Sequence, residues 1–361
     1  MLLAKKKISI IVPAYNAEKT IKNSLKAIIR ETKNIIAEII VVDDNSNDNT
    51  TQIVSSFKKI KLIVLKKNKG AGNARNIGVK KAKYENLCFI DSDILIGKRS
   101  VYSLLKRLYK DKITGSVSAT QDLYNLNKED WSSEFVCLKS CFGTHNFSKE
   151  KKFSSICSEF CIISKKFFMR VGRWKALENA GGEEFDMGYK IRKLNRINIK
   201  LKEAKYSGYW CGILLRSKRV VARTIKYIPL LLKKKSFDTV GTFATSNQAF
   251  SALLSLFILL SSIVFLIFNY TYIFEGYNVN NFQILFVVKF FFIIQLLAEI
   301  EFLIYSYKCK GVKIFILSLF GIQLINFALI VGGLLFIIKS FYRKINLLKK
   351  KFLGLFLLKH E

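Results

Sequence analysis

Acidic residues are scarce in this chain of 361 residues. Lys and Arg together number 60, Asp and Glu only 26, and half of the residues are hydrophobic. So few acids exclude a disordered acidic chain, and a net charge of +34 is not typical of a neutral cytosolic enzyme. Most of the basic excess lies before residue 245, and the chain beyond it is mainly apolar. The composition therefore indicates a basic globular domain followed by a membrane domain.

The sequence predicts neither a leader sequence nor a disulfide framework. The apolar start of the chain is very short, and Pro13 interrupts the next apolar run, so we expect no secretory signal peptide. The seven cysteines are odd in number and scattered, which favours reduced thiols in a cytosolic domain. No RNA- or DNA-binding motif accompanies the positive charge, so we expect no nucleic-acid partner.

Two pairs of cysteines have a spacing that allows metal binding. Cys137 and Cys141, and likewise Cys157 and Cys161, lie four positions apart, and His145 is nearby. A zinc site is geometrically conceivable. Buried thiols that behave as small apolar side chains are the favoured interpretation.

The first hundred residues alternate between the strand and helix periods. Short β-branched runs predict four strands, and segments with apolar residues at helical spacing separate them. The strands are expected at 8–12, 38–42, 61–65 and 87–90, and the helices at 18–30, 50–57 and 71–82. This alternation predicts an α/β domain with a Rossmann-like, mostly parallel sheet and right-handed crossovers.

Polar residues follow each predicted strand. They are Pro13, Tyr15, Asn16 and Glu18 after the first, Asp43 and Asp44 after the second, the segment 68–76 after the third, and Asp91 and Asp93 after the fourth. Open α/β sheets bind ligands outside the carboxyl ends of their strands. We therefore expect a single site built from these loops.

The pair of aspartates is the most specific local signal. On an extended backbone, Asp91 and Asp93 point to the same side and can share a divalent cation with phosphate oxygens. Arg75 could pair with a departing diphosphate, and Gly70 lets the backbone come close to it. Ordinary turn aspartates are the simpler alternative. A dinucleotide site is disfavoured because the G-x-G-x-x-G spacing is missing.

Five motifs in this order resemble the family 2 inverting glycosyltransferases of the GT-A fold. They are Ile10–Asn16, Val41–Ser46, the Asn68–Gly70 and Ala74–Gly78 segments, Phe89–Asp93 and Gly182–Asp186. The resemblance covers about residues 1–210. It implies a GT-A nucleotide-diphospho-sugar transferase domain that uses a nucleotide-sugar donor and a divalent cation, Mn or Mg.

The resemblance also implies roles for individual residues. The base and ribose positions are Pro13, Tyr15, Glu18, Asp43 and Asp44, and the other donor-binding positions are Asn16, Gly70, Arg75 and Asp91. The metal positions are Asp91 and Asp93. Glu184 occupies the position of the general base, where the family usually has Asp, and Asp186 is the fallback base.

Two further departures from the family pattern concern the acceptor. The segment 205–210 has no His, which many members carry after the acidic motif, and the Gln-x-x-Arg-Trp motif of processive synthases is absent. We therefore expect a single sugar transfer to an acceptor hydroxyl or phosphate rather than polymer extension.

The carboxyl-terminal third predicts membrane helices. After a domain at 1–212, residues 213–244 form a basic interfacial helix or linker that meets an anionic membrane surface; a solvated basic linker is the alternative. Spans are expected at 249–271, 282–305 and 314–338 within a membrane domain at 245–340, followed by a basic tail at 341–361.

Charge in the loops predicts the orientation of these helices. The loop 275–281 has no Lys or Arg, whereas 307–313 has three, which places the catalytic domain on the cytoplasmic side of a multi-pass protein, as in a bacterial inner membrane. Three spans would put the basic tail outside, against the same rule, unless the third span is re-entrant.

Three functions are compatible with this organisation. We favour a membrane-anchored glycosyltransferase that acts on a lipid-linked acceptor in cell-envelope glycan or glycolipid synthesis, because tethering raises the effective concentration of a membrane substrate. The alternatives are transfer to a soluble glycan or protein acceptor, and a non-catalytic glycosyltransferase-like membrane partner, which the Glu184 substitution would favour.

Overall fold

Strands and helices alternate through the first part of the chain as the periodicity predicts. The computed structural model describes residues 7–128, 130–145, 149–175, 182–234, 246–275 and 281–357. The elements up to the aspartate motif are β1 (Lys7–Ala14), α1 (Ile21–Glu31), β2 (Ile36–Asp43), α2 (Thr50–Ser55), β3 (Ile60–Val64), α3 (Ala71–Lys81) and β4 (Asn86–Ile90). All four predicted strands and the three helices between them are confirmed.

The next hundred residues are more regular than their sequence suggests. They form β5 (Ile94–Ile96), α4 (Ser100–Leu108), β6 (Thr114–Asn125), α5 (Ser133–His145), β7 (Glu150–Phe153), β8 (Phe160–Ser164), α6 (Lys165–Val171), α7 (Glu183–Lys193) and β9 (Ile197–Gly208). Five of these elements are strands, and they join the same sheet as the first four.

The sheet is parallel in its first half and mixed in its second. Among the described residues its strand order is β3-β2-β1-β4-β8-β6-β9-β5, and β7 pairs with β9. The pairings among β1 to β4 are all parallel. Strand β8 then lies antiparallel between β4 and β6, so its amino end lies at the edge where β4 ends. This geometry adds the residues before β8 to the loops at the carboxyl ends of the parallel strands.

Apolar side chains fill both faces of the sheet. One buried cluster contains Ile10, Val12 and Leu104, and the other contains Ile11, Phe89 and Trp174. Since neighbouring residues of β1 belong to different clusters, the strand is buried on both sides, as its unbroken apolar run predicts. Gly78 permits the close packing of α3 on β1, because a Cβ there would lie 2.4 Å from the side chain of Ile11.

The chain divides into two compact units, and the second begins at Ile213. Its described helices are α8 (Ile213–Lys234), α9 (Ser246–Glu275) and α10 (Asn281–Leu357). Helix α10 is interrupted at Gly311, whose φ of 78° and ψ of −172° are not helical. A residue without a Cβ adopts this conformation without strain.

The helical unit has apolar stretches of membrane-spanning character. The stretches Ala249–Ile267 and Ile300–Tyr342 are long and apolar enough to cross a membrane, and Phe286–Ala298 is a shorter apolar stretch. The second long stretch runs through the break at Gly311. The three spans of the sequence analysis stay a prediction, and the linker at 235–245, the loop at 276–280 and the end of the tail lie outside the described residues.

Polar side chains connect the helices of this unit. Asn326 of α10 donates to the hydroxyl of Ser251 on α9 at 2.9 Å, and Gln323 donates to Gln295 at 3.0 Å. The Gln295 amide in turn donates to Ser255. Buried amides and hydroxyls in an apolar helix bundle favour one relative register, because any other register leaves them unsatisfied.

Helix α8 also packs closely on α10. A Cβ at Gly332 would lie 2.7 Å from the Cβ of Thr224 and 3.0 Å from the carbonyl oxygen of Val221. The helix predicted for the basic segment is therefore present, and its small-residue contact joins it to the apolar helices.

Candidate functional site

The loops after β1 and β2 form one hydrogen-bonded pair. The amide of Asn16 donates to the Ser46 hydroxyl at 2.9 Å, and the amide of Asn47 donates to the Asn16 side chain at 2.9 Å. Farther along, the amide of Glu18 donates to Asp48 at 3.0 Å. Asn16 adopts a positive φ of 48°, in the left-handed region that Asn tolerates better than most residues. The structure thus brings Asn16 and Glu18 together with the loop that follows Asp43 and Asp44.

Asp43 and Asp44 are buried and hold these loops. Asp43 accepts bonds from the amide of Ser46 at 2.9 Å and from its hydroxyl. Asp44 accepts from the amides of Lys69 at 3.0 Å and Gly70 at 2.7 Å, so it fixes the start of α3. Pro13 is buried at the end of β1, while Tyr15 is exposed beside it. Contacts of these residues with a nucleotide stay a prediction.

Arg75 lies inside the domain, against the aspartate motif. Its side chain is 2% exposed, and its Nη2 lies 2.5 Å from Oδ1 of Asp91. The guanidinium also stacks on the ring of Trp174, 5.4 Å from the ring centroid. Its Nε and Nη1 have no hydrogen-bond partner among the described residues. The predicted contact of Arg75 with a diphosphate stays untested, and the contact in the structure is with Asp91.

Burial and the neighbouring charges shift the pKa values of both Asp91 and Arg75. Burial raises the pKa of Asp91 and the Arg75 charge lowers it, while the nearby Asp93 and Glu159 raise it, with a net rise to about 7. Burial lowers the pKa of Arg75, but attraction to Asp91, Glu183 and Glu184 outweighs it and raises the pKa. The guanidinium therefore stays charged.

Asp93 is exposed in the turn that follows β4. Its backbone carbonyl accepts the amide of Tyr209 at 3.2 Å, and the Tyr209 hydroxyl in turn accepts from Asn23 at 3.3 Å. Asp91 and Asp93 are thus held at one end of the sheet, by Arg75 on one side and by the residue after β9 on the other.

The acidic motif at 183–186 forms the first turn of α7. Gly182 precedes the helix with φ 92°, a conformation that favours glycine. Three acids in this turn, Glu183, Glu184 and Asp186, match the positive end of the helix dipole. Asp186 pairs with Lys190 at 2.7 Å. Glu184, one of the two candidate bases, is among the charges that raise the pKa of Arg75.

Two residues at this site escape analysis of the sequence. Ser158 donates to Oε1 of Glu184 at 2.8 Å, and the carbonyl of Glu159 accepts the amide of Asp91 at 2.9 Å. The Glu159 carboxylate accepts the hydroxyl of the buried Tyr206. The sequence signal is a Ser-Glu pair directly before a buried strand, but its position at the site depends on the antiparallel direction of β8.

The carboxylates suit a cation that arrives with a phosphate ligand. No group of three or more His, Cys, Asp and Glu side chains that could hold a metal occurs in the part of the chain that the structure describes. Asp91 and Asp93 would supply hard oxygen ligands, and Mg²⁺ is typically bound by one or two carboxylates together with substrate phosphates. The residues therefore fit a cation that is shared with a diphosphate.

The cysteines follow the apolar interpretation. Cys137, Cys141 and Cys161 are buried. The hydrogen bond from Cys137 and burial raise the pKa of Cys141, and its thiol lies 3.3 Å from the carbonyl of Asp122. Burial also raises the pKa of the Cys161 thiol, so Cys141 and Cys161 are protonated at neutral pH. The side chain of His145 lies outside the described residues.

The strands and helices of the first unit form a domain of the GT-A fold. Residues 9–172 match the family model described as Glycosyl transferase family 2. This match agrees with the family that the motifs resemble.

Curated relatives share the amino-terminal half of the chain. The poly-beta-1,6-N-acetyl-D-glucosamine synthase of Staphylococcus epidermidis is 27% identical over 177 residues, which cover 46% of this chain and 42% of that protein. The probable glycosyltransferase YdaM of Bacillus subtilis is 29% identical over 204 residues, which cover 52% and 48%. The chain thus spans less than half the length of these relatives.

A solved structure has the same fold over most of the chain. The mannosyltransferase PcManGT from Pyrobaculum calidifontis, in complex with GDP-Man and Mn²⁺, matches with a TM-score of 0.54 and 14% identity. The match covers 91% of this chain and 86% of that one. At this identity the likeness supports the fold alone.

Proposed function

We propose that this chain is an inverting glycosyltransferase that moves a sugar from a nucleotide-diphosphate donor to an acceptor, with Glu184 as the general base. One observation carries the proposal: the consecutive residues Ser158 and Glu159 contact Glu184 and Asp91, which are far apart in the sequence. A candidate base and a candidate diphosphate site therefore belong to one site.

The proposed reaction is a single displacement. The acceptor oxygen forms a bond to the anomeric carbon of the donor sugar, and the bond from that carbon to the diphosphate oxygen breaks, its electron pair leaving on the diphosphate. The acceptor proton passes to the Glu184 carboxylate. Attack from the face opposite the leaving group inverts the configuration.

A divalent cation, Mn²⁺ or Mg²⁺, belongs to this proposal. Asp91 and Asp93 would hold it with the donor, and when bound it neutralises charge that develops on the diphosphate. Arg75 holds Asp91 in place through their 2.5 Å contact. The buried Asp43 and Asp44 fix the neighbouring loops, so the nucleotide would meet preorganised amides and side chains.

We propose that the acceptor is linked to a membrane lipid. The apolar helices α9 and α10 support this, since they have the length and composition of membrane helices. The basic helix α8 would lie at the cytoplasmic surface and meet anionic lipid there. A soluble glycan or protein acceptor is the alternative, with the helices as an anchor alone.

The test is a donor panel with the full chain in detergent and in liposomes. UDP-N-acetylglucosamine and GDP-mannose are incubated with Mn²⁺, and release of UDP or GDP is measured with and without an added bacterial lipid extract. We expect release from one donor, abolished by EDTA and increased by the extract. Release from neither donor would overturn the assignment of a catalytic chain and favour a non-catalytic membrane partner.

The base is tested with two matched variants. Glu184→Gln keeps the shape and loses the proton affinity, so kcat should fall by about 10²–10⁴-fold with donor binding retained. Asp186→Asn, whose native carboxylate pairs with Lys190, should keep most of its activity. Parental turnover by Glu184→Gln together with loss in Asp186→Asn would move the base to Asp186.

A further inference from the structure

The segment before β8 connects the two carboxylate groups of the site. Its consecutive residues Ser158 and Glu159 contact Glu184 and Asp91, respectively. The segment is held by its backbone: the amide of Cys157 donates to the Ser118 hydroxyl on β6 at 3.1 Å, and the amide of Ile156 donates to the carbonyl of Glu184 at 3.4 Å. It is therefore a fixed platform for the side chains that it presents.

Ser158 presents its hydroxyl from this platform to one oxygen of Glu184. The residue is 4% exposed, and the distance from its Oγ to Oε1 of Glu184 is 2.8 Å. A carboxylate that accepts a hydroxyl at one oxygen loses rotational freedom, and its second oxygen then points in one direction. A donated hydroxyl also favours the ionised form of a carboxylate, which is the form a general base needs.

We propose that Ser158 is a positioning residue for the transfer reaction: its hydroxyl fixes the Glu184 carboxylate so that the second oxygen faces the acceptor. The inference rests on the proposed function, in which Glu184 is the base. A hydroxyl that only fills a buried polar gap would contribute to folding and leave the chemical step unchanged.

Charged groups on α3 and α7 also act at this position. Arg75 on α3 attracts the Glu184 charge, and Glu183 lies beside it on α7. On the same helix, Asp186 is paired with Lys190. None of these groups changes in a Ser158 variant, so an altered pH profile would report the lost hydroxyl.

The structure offers a matched control in the same segment. Ser154 also lies against α7, since its carbonyl oxygen would be 2.3 Å from a Cβ at Gly188. Its hydroxyl has no hydrogen-bond partner among the described residues. Ser154→Ala thus removes a hydroxyl near the same helix without touching Glu184.

The experiment measures kcat, donor KM and the pH profile of the full chain with the donor that the parent turns over. A hydrogen bond to a charged group corresponds to a factor of about ten or more, so Ser158→Ala should lower kcat about tenfold and leave donor KM within about twofold. Its acidic limb should move up by about one pH unit. Ser158→Thr, which keeps the hydroxyl, should restore both quantities, and Ser154→Ala should match the parent.

The outcomes separate this inference from the proposed function. If Glu184→Gln is inactive but Ser158→Ala has the parental kcat and pH profile, Ser158 has no positioning role and the base assignment stands. If Glu184→Gln is fully active, or the parent uses neither donor, the base assignment fails and this inference fails with it. Should Ser158→Ala not fold, Ser158→Cys takes its place, because Cys is a weaker donor of similar size. Its kcat should then lie between that of Ser158→Thr and the value expected for Ser158→Ala. A kcat equal to that of Ser158→Thr would overturn the inference.

Discussion

Removal of Arg75 tests whether the buried ion pair holds the site together. Arg75→Met keeps most of the side-chain volume and deletes the charge that faces Asp91 at 2.5 Å. Losing one partner of a buried pair costs about 3–5 kcal/mol, because the other charge stays buried. Asp91 keeps 23% exposure and can take up a proton, so we expect a loss near the lower end, about 3 kcal/mol.

The pH dependence of this loss follows from the direction of the pKa shift. Arg75 lowers the pKa of Asp91, so its removal raises that pKa further above the unfolded value of about 3.9. The native variant then binds more protons than its unfolded state, and its stability falls as pH rises through neutral. In EDTA, the free energy of unfolding of the variant should therefore lie closer to that of the parent at about pH 6 than at about pH 8.

Tryptophan fluorescence during urea unfolding isolates the relevant domain. The chain has three Trp residues, at 131, 174 and 210, all before Ile213, so the signal reports the first unit. The double variant Arg75→Met/Asp91→Asn carries no unpaired charge and should recover at least about 1 kcal/mol of the loss. A single variant within about 0.5 kcal/mol of the parent, or a double variant no better than the single, would refute this account of the pair.

Three further predictions concern the cation, the membrane and the helix packing. Asp93→Ala should abolish Mn²⁺-dependent nucleotide binding and turnover without changing the urea midpoint, because Asp93 is exposed; full activity in excess EDTA would contradict this role. A fragment that ends at residue 237 should bind anionic vesicles with about 1 kcal/mol per basic residue near the surface and be released by salt, whereas equal binding to neutral vesicles would refute it. Gly332→Val should lower the thermal midpoint in detergent, since a Cβ there meets Thr224 at 2.7 Å, while Gly333→Ala, which meets nothing within 4 Å, should not; equal midpoints would argue against this packing.

Local pattern determined the first half of the catalytic fold. A buried parallel strand reads as a short apolar run, and a helix shows its 3.6-residue period, so β1 to β4 and the helices between them were predictable. The polar residues after each strand were predictable as one site for the same reason, since parallel strands end at one edge of a sheet. The acidic first turn of α7 was recognisable in the sequence from the motif Gly182–Asp186.

The environment of those residues was decided by tertiary structure. Nothing in the sequence around Arg75 indicates that it is 2% exposed and paired with Asp91, because both facts depend on contacts with Asp91 and Trp174, which are distant in the chain. In the helical unit, the break of α10 at Gly311 lies within 307–313, where the sequence predicts a basic loop between two spans.

The direction of β8 is the clearest case of information that the sequence does not contain. An apolar run of four residues predicts a strand but gives neither its neighbours nor its direction, which are fixed by contacts with β4 and β6 that are distant in the chain. Because β8 runs antiparallel, its amino end, not its carboxyl end, lies at the site. The sequence alone therefore determined which carboxylates the domain carries, and only the tertiary structure placed Ser158 against Glu184 and Glu159 beside Asp91.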